Sequence, residues 1–414
     1  MAVNKLDNSM IDSNDIGTSA NQLLKLDGTA KIPAADGSLL TGLPASFTSS
    51  ASDPVITTNP SGGVGTIWKN TTSGEVYCCT NATAGSNVWT NIGAGTGDIA
   101  PSTLPRQGTQ YGYHCGGTAP ARINMIQKYS FTSDANSVDT TADLTDVGSS
   151  GSGNVGSLTH GYCAGHQNAS VNTNIIEKFP FASSSNATDV GNLAHLIYGG
   201  MGCATQTYGY VQGGGQGSST PRNEIQRFSF SSDGNAVDVG DITVARGHGA
   251  GTMSETYGYA HGGQNPGSGY STWGNVIDKF AFGSSATSTD VGDILTDAIY
   301  LTGHQSVTHG YWAGGMISNI PPSTHPPYCT EIIAKYSFSS DGNAVDVANM
   351  IPANGIAFGA GSTQTDYGYV SGGQRATDMA SQDTIQKFSF PAGTNATDVA
   401  NLVANNHGAF GCQF

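Results

Sequence analysis

Charge is what this chain has least of. Lys, Arg, Asp and Glu make up 11% of its 414 residues, where an ordinary globular domain carries about 25%. Lys and Arg number 15 against 30 acidic residues, a formal net charge of −15. So few cations cannot neutralise a row of phosphates, which argues against nucleic acid and anionic membrane surfaces as partners. No apolar run is long enough to span a bilayer, so no membrane insertion is expected. The N-terminus, Met1-Ala-Val-Asn-Lys5, lacks the apolar stretch of a signal peptide, so synthesis in a cytoplasm is expected. Cysteine is sparse and odd in number: Cys78, Cys79, Cys115, Cys163, Cys203, Cys329 and Cys412. None shows metal-ligand spacing, and the thiols read as reduced, buried small hydrophobes.

Catalytic motifs are missing too. There is no Gly-x-Ser-x-Gly, Walker or His-Glu-x-x-His string, and no cofactor is expected. A glycosidase needs two carboxylates about 5–10 Å apart. The loops that vary most between repeats hold few, with Asp378 inside one and Glu331 and Asp383 at loop edges. The expectation is a non-enzymatic protein.

Glycine is what the chain has instead: 58 residues, with Gly-Tyr pairs at Gly112-Tyr113, Gly161-Tyr162, Gly209-Tyr210, Gly258-Tyr259, Gly310-Tyr311 and Gly368-Tyr369. Spacings of 48 to 58 residues between successive pairs mark a repeat architecture. Each repeat reads as four strands. A Gly-rich strand such as Gly247-His-Gly-Ala-Gly251 precedes Tyr-Gly-Tyr-x-x-Gly-Gly. A third strand alternates as Ile-x-Lys-Phe-x-Phe, at Ile126–Phe131, Ile176–Phe181, Ile225–Phe230, Ile277–Phe282, Ile333–Phe338 and Ile385–Phe390. A fourth, such as Val237-Asp-Val-Gly-Asp-Ile242, follows. Asp233-Gly234 and Asp341-Gly342 suit two-residue hairpin turns between strands three and four. Ser231–Asp238 lacks the Glu of an EF-hand loop and reads as a plain hairpin.

An aromatic strand ending in Gly-Gly after a Gly-rich strand resembles the kelch repeat of β-propellers, over residues 111–414. The usual outer-strand Trp is replaced by the Val-Asp-Val-Gly-Asp pattern. The resemblance implies an all-β fold with a six-bladed propeller. The first repeat lacks a Gly-rich strand before Tyr111, and the chain finishes on Asn406-His-Gly-Ala-Phe-Gly-Cys-Gln-Phe414, whose His-Gly-Ala matches His248-Gly-Ala. Residues 406–414 are therefore expected to enter the first blade. His248 and His407 would then stand near the axis.

Ahead of the repeats, Ala20–Pro44 carries Leu-x-Leu-Asp-Gly-Thr-x-Lys-Ile-Pro-Ala-x-Asp-Gly-Ser and resembles the N-terminal segment of bacteriophage tail-fibre chains. That resemblance implies a virion-attachment or trimerisation segment over residues 1–50. Residues 51–98 read as a small β module with a hairpin at Thr72-Ser73-Gly74. Trp68, Tyr77 and Trp89 are either its core or a sugar-stacking face. Residues 99–110 read as a linker.

Binding normally lives on variable loops over a rigid frame. The loops between strands two and three vary most, and they carry Arg222, Tyr270, Trp273, His325, Tyr328 and Arg375. Aromatics beside Arg suit sugar rings, whose C–H faces stack while hydroxyls take hydrogen bonds. Trp273 and Tyr328 read equally as anchors of long loops. The expected function is a homotrimeric phage tail fibre located in the virion. It would hold other tail proteins through residues 1–50 and adsorb to a host cell-surface glycan or receptor. The alternatives are a capsid or tail decoration protein and a polysaccharide depolymerase.

Overall fold

The computed structural model describes residues 47–92 and 107–414, apart from 152, 154, 169–170, 216–219, 266–272, 283–286, 318–328, 352–354 and 376–377. The proposed attachment segment before Phe47 and most of the linker lie outside these residues. The chain divides into two compact units, Met1–Ser102 and Thr103–Phe414. Both are all-β among the described residues, with no helix.

In the first unit Phe47–Ser50 runs parallel to Ile67–Asn70, and Val76–Asn81 and Val88–Asn91 continue the sheet antiparallel. The hairpin forms because Asn70 Oδ1 accepts the N–H groups of Thr72 and Ser73, while Gly74 takes φ +80°. Tyr77, Cys79 and Trp89 are wholly buried, and Trp68 meets Trp89 edge-on at 5.8 Å. The small core consumes these aromatics.

In the second unit six sheets each carry one Gly-Tyr strand. They are numbered here by that strand: Tyr111–Cys115, His160–Ala164, Tyr208–Gln212, Tyr257–His261, His309–Ala313 and Tyr367–Ser371. Sheets three to six are four-stranded in simple chain order, and sheet two has three strands. Sheet one takes its first strand from the C-terminus: Phe410–Gln413 pairs antiparallel with Tyr111–Cys115, Cys412 opposite Tyr113.

The Gly-Tyr pair has a physical reason in every sheet. A Cβ on Gly112, Gly161, Gly209, Gly258, Gly310 or Gly368 would sit 2.3–2.5 Å from the aromatic ring of the neighbouring third strand, such as Tyr129 or Phe228. Only glycine lets that ring lie flat across the strand. The following Tyr is buried and packs on the Phe of the next sheet. The centroid distances are 4.9 Å for Tyr113–Phe181, 4.6 Å for Tyr162–Phe230, 5.0 Å for Tyr210–Phe282, 4.9 Å for Tyr259–Phe338 and 4.6 Å for Tyr311–Phe390. Tyr369 of sheet six packs on Phe131 of sheet one at 4.7 Å. The first Tyr of the motif takes the strand-three cation on its ring, as Arg227 does over Tyr208 and Lys279 over Tyr257.

The first strands approach one another backbone to backbone. A Cβ on Gly202, Gly251 or Gly303 would lie 2.0–2.3 Å from the carbonyl of Gly153, Gly202 or Gly251 respectively. One on Gly411 would lie 2.1 Å from the Gly361 carbonyl. Side chains are excluded there by backbone, which cannot yield.

Strands three and four pair antiparallel as a hairpin, but the segment between them corrects the two-residue turn. In sheet three the ladder resumes only at Arg227 opposite Val237, so nine residues intervene rather than two. They form a bridge to the preceding sheet. Asn235 Oδ1 accepts the Asn192 N–H at 3.0 Å, and Ala236 N–H donates to the Asn192 carbonyl at 2.8 Å. Asp233 binds Lys178 of that sheet at 2.6 Å. The same Ala or Ser bond recurs at all six seams, from Ser137 N–H to the Asn401 carbonyl at one of them. The Asp-Gly-Asn-Ala string is thus a seam-forming element, and its Asn supplies an acceptor that no turn requires.

Inside the seams, third-strand polar side chains act as staples. Glu177 accepts from the Thr145 N–H, Gln226 from Ala194, Asp278 from Thr243, Gln386 from Ile351 and Gln127 from Val403. At Asp278 the connection also supplies Arg246, buried and 2.6 Å from the carboxylate. Its other N–H groups donate to the carbonyls of Gly262, Ala260 and Val244. Removing one partner of a buried ion pair strands the other, at a cost of about 3–5 kcal/mol. Asp278→Ala is expected to lower the unfolding free energy by about that amount in urea. Adding Arg246→Ala is expected to recover much of the loss, because the next seam already holds Ala298 and Ala334 at these places. A double variant less stable than Asp278→Ala alone would contradict the pairing.

Candidate functional site

At one end of the second unit, the residue two positions before the first strand of sheets one and three to six takes a left-handed conformation, as does Ser150 ahead of sheet two. These residues are Ser150, Gly199, His248, Tyr300, Phe358 and Gly408, with φ between 55° and 68°. Their backbones bond to one another in sequence. Gly199 N–H donates to the Ser150 carbonyl at 2.6 Å, His248 to Gly199 at 2.7 Å, Tyr300 to His248 at 2.6 Å, Phe358 to Tyr300 at 3.2 Å and Gly408 to Phe358 at 2.8 Å. Ser150 N–H then donates to the Gly408 carbonyl at 2.6 Å, which returns the series to its start. We call this set the collar. It borders a pocket of about 100 Å³.

The collar is chemically lopsided. Tyr300 and Phe358 stack at 3.7 Å and 26°, and His248 lies 4.7 Å from Tyr300. Tyr198 extends the arc behind His248 at 4.8 Å, and His407 meets Phe358 edge-on at 6.3 Å. Ser150 and Gly408 leave the remaining side small. Gly199 is needed because a Cβ there would lie 2.4 Å from His248 Nδ1. Burial pushes the His248 imidazole down to about 4, so the ring is neutral at pH 7. The arc therefore offers uncharged aromatic faces, suited to stacking on the C–H faces of a ring-shaped ligand.

The loops singled out in the sequence rise from the same end, because each collar segment is bridged to the residue that follows the Gly-Gly turn. Tyr198 bonds both ways with Gly215, and Gly247 with Gln264. Ile299 pairs with Met316, Ala357 with Gln374 and His407 with Thr118. Trp273 forms a bridge with Gln264 and is half-buried. Arg222 lies 3.6 Å from Glu224, whose same oxygen is 3.4 Å from His195. Arg375 pairs with Ile356 in a two-residue strand and binds Asp378 through two hydrogen bonds. Both arginines thus already engage carboxylates, which weakens them as ligand cations. Tyr270, His325 and Tyr328 lie outside the described residues.

Sequence reading placed His248 and His407 near the axis but missed Tyr300 and Phe358. The six collar positions share no residue type, so no motif announces them. The only available signal was register: counting back from each Gly-Tyr strand. No protein-family model matches this chain, and no curated protein matches it.

Proposed function

We propose that the second unit is a six-bladed kelch-like β-propeller. In this reading the chain is a tail-fibre protein of a bacteriophage virion, assembled as a homotrimer in the host cytoplasm. Six equivalent seams support the fold, with Tyr369 on Phe131 and Phe410–Gln413 beside Tyr111–Cys115 joining last to first. The fibre-like string at residues 20–44 supports attachment to other tail proteins. The collar face then adsorbs, without catalysis, to glycan on the host surface.

One observation carries the binding role. His248, Tyr300 and Phe358 hold φ near 60° where Gly199 and Gly408 do the same work without strain. A left-handed non-glycine residue costs about 1–2 kcal/mol. Strain retained at three neighbouring aromatics marks a surface kept for something other than stability. Single contacts to such an arc are weak, and linking several copies raises avidity by about 10²–10⁴.

The test separates binding from folding. In Tyr300→Gly and Phe358→Gly the relief of backbone strain offsets the lost stacking, so stability should change by less than about 1 kcal/mol. Binding of the multimeric chain to an array of bacterial surface polysaccharides should fall at least tenfold. Parent chain that binds nothing on the array, or variants that bind as the parent does, would remove this reading. Release of reducing ends from a bound polysaccharide would make the protein a depolymerase instead.

A further inference from the structure

We propose that Cys163, His166 and Glu177 of sheet two bind one zinc-like divalent metal ion. The trio departs from the other repeats at two places, and a cysteine joins them from a position where the repeats share no residue type. His166 stands where the other five repeats have Gly117, Gly214, Gly263, Gly315 and Gly373, all at φ between 95° and 108°. Glu177 stands where they have Gln127, Gln226, Asp278, Ala334 and Gln386. Cys163 points into the same interior from the second strand, and all three side chains are 0–1% exposed. The adjoining connection makes room for the imidazole. A Cβ at Gly148 would lie 2.3 Å from His166 Cδ2.

The polar accounting of the site is incomplete. His166 Nδ1 and Nε2 and Glu177 Oε2 are buried with no hydrogen-bond partner among the described residues. Buried polar groups are seldom left in that state, and a bound ion is a common reason. The donor atoms of Cys163, His166 and Glu177 lie within 4.8 Å of one another, with His166 Nδ1 already 3.7 Å from Glu177 Oε2. Bond lengths of about 2.0–2.3 Å put the ligand atoms of a tetrahedral zinc roughly 3.3–3.8 Å apart. Side-chain adjustments of about 1 Å bring the three donors to that spacing. One thiolate, one imidazole and one carboxylate form a borderline donor set that suits zinc better than calcium or magnesium. Water supplies the fourth ligand.

Glu177 is oriented for the role. Its Oε1 accepts both the N–H and the hydroxyl of Thr145, at 2.5 and 2.6 Å, which leaves Oε2 facing the imidazole. Bound metal therefore ties strands two and three of sheet two to the connection leaving sheet one. Without a cation, burial favours the neutral form of every member: it raises the Cys163 thiol and the Glu177 carboxyl and lowers the His166 imidazole. Metal binding reverses this preference and releases the Cys163 thiol proton, with any proton held by Glu177, to solvent. The rival arrangement is a plain ion pair, since Arg246–Asp278 fills the corresponding place two seams on.

Cobalt(II) titration of the untagged, chelator-treated full chain separates the two. The expected result is one equivalent of cobalt per chain with a thiolate-to-metal charge-transfer band, displaced by zinc, and a thermal midpoint raised by several degrees. His166→Gly restores the residue of the other repeats and should abolish uptake. Cys163→Ser should remove the charge-transfer band. Absence of saturable uptake, or a cobalt spectrum unchanged in either variant, overturns the site. Should both variants misfold, X-ray absorption of the zinc-loaded parent still decides. One sulfur with nitrogen and oxygen neighbours supports the site, and a shell without sulfur refutes it.

Discussion

Removal of residues 407–414 is expected to leave a chain that cannot be recovered as a soluble, folded protein. Those eight residues supply the first strand of sheet one and one collar position. Phe410 and Cys412 are 2% and 1% exposed, and the Phe414 ring packs on Phe181 at 5.1 Å. The Phe414 carbonyl accepts from Tyr111 at 3.0 Å, and its N–H donates back at 2.9 Å. Burying each apolar side chain contributes about 1.5–3 kcal/mol, and each ladder bond about 1 kcal/mol net. Their sum is comparable with the whole net stability of an ordinary domain, about 5–15 kcal/mol. The truncation also uncovers the edge of Tyr111–Cys115, an invitation to intermolecular pairing. Size-exclusion chromatography and a thermal melt would check this. A monodisperse truncated chain melting like its parent would falsify the claim that both ends of the second unit share one sheet.

Acid should unfold the protein well above the range in which carboxylates alone titrate. Burial lowers His114 and His261 to about 3, and His248 and His304 to about 4. The sign follows from proton counting. Above pH 6.5 these rings are neutral whether the chain is folded or not, and they exert no pH-dependent pull. Below pH 6.5 the unfolded chain takes up protons that the folded chain refuses, so stability falls as pH drops toward 4. Each unit of pKa difference is worth about 1.4 kcal/mol, and four such groups act together. Glu177, Asp241 and Asp398 oppose them, because burial raises their carboxyl pKa values and so favours the folded state in acid, but the two aspartates are mostly solvated and the four imidazoles are wholly enclosed. The expected outcome is a thermal midpoint that is flat from pH 7 to 8 and falls steeply between pH 6 and 4. The buried His304 accounts for part of it: burial holds the ring neutral, and the Ser362 carbonyl bonded to Nδ1 offsets only part of that effect. His304→Gln should flatten the slope; an unchanged slope would sink the assignment.

Residues near in sequence were legible, and residues brought together by the fold were not. The third strands could be read because Ile-x-Lys-Phe-x-Phe alternates with the pleat, and Ile225 and Phe228 are indeed buried while Arg227 turns outward to Tyr208. Trp89 could be assigned to a small core from the size of its unit. The Asn235 segment was misread as a tight two-residue turn because Asp-Gly carries a strong local turn signal, while the partner of Asn235 is Asn192, 43 residues away. Arg222 and Arg375 could be listed as loop cations, but Glu224 and Asp378 at their sides emerge only in three dimensions.

The amino-acid sequence by itself determined the strand content, the repeat and the places where only glycine fits, since each is written in spacing and residue size along a few neighbouring positions. Tertiary structure alone decided the collar and the Cys163, His166 and Glu177 cluster. Ser150, Gly199, His248, Tyr300, Phe358 and Gly408 have a backbone conformation and a set of hydrogen bonds in common, but no side chain. Such bonds join carbonyls and N–H groups that every residue carries, so nothing in a string of side chains can point to them.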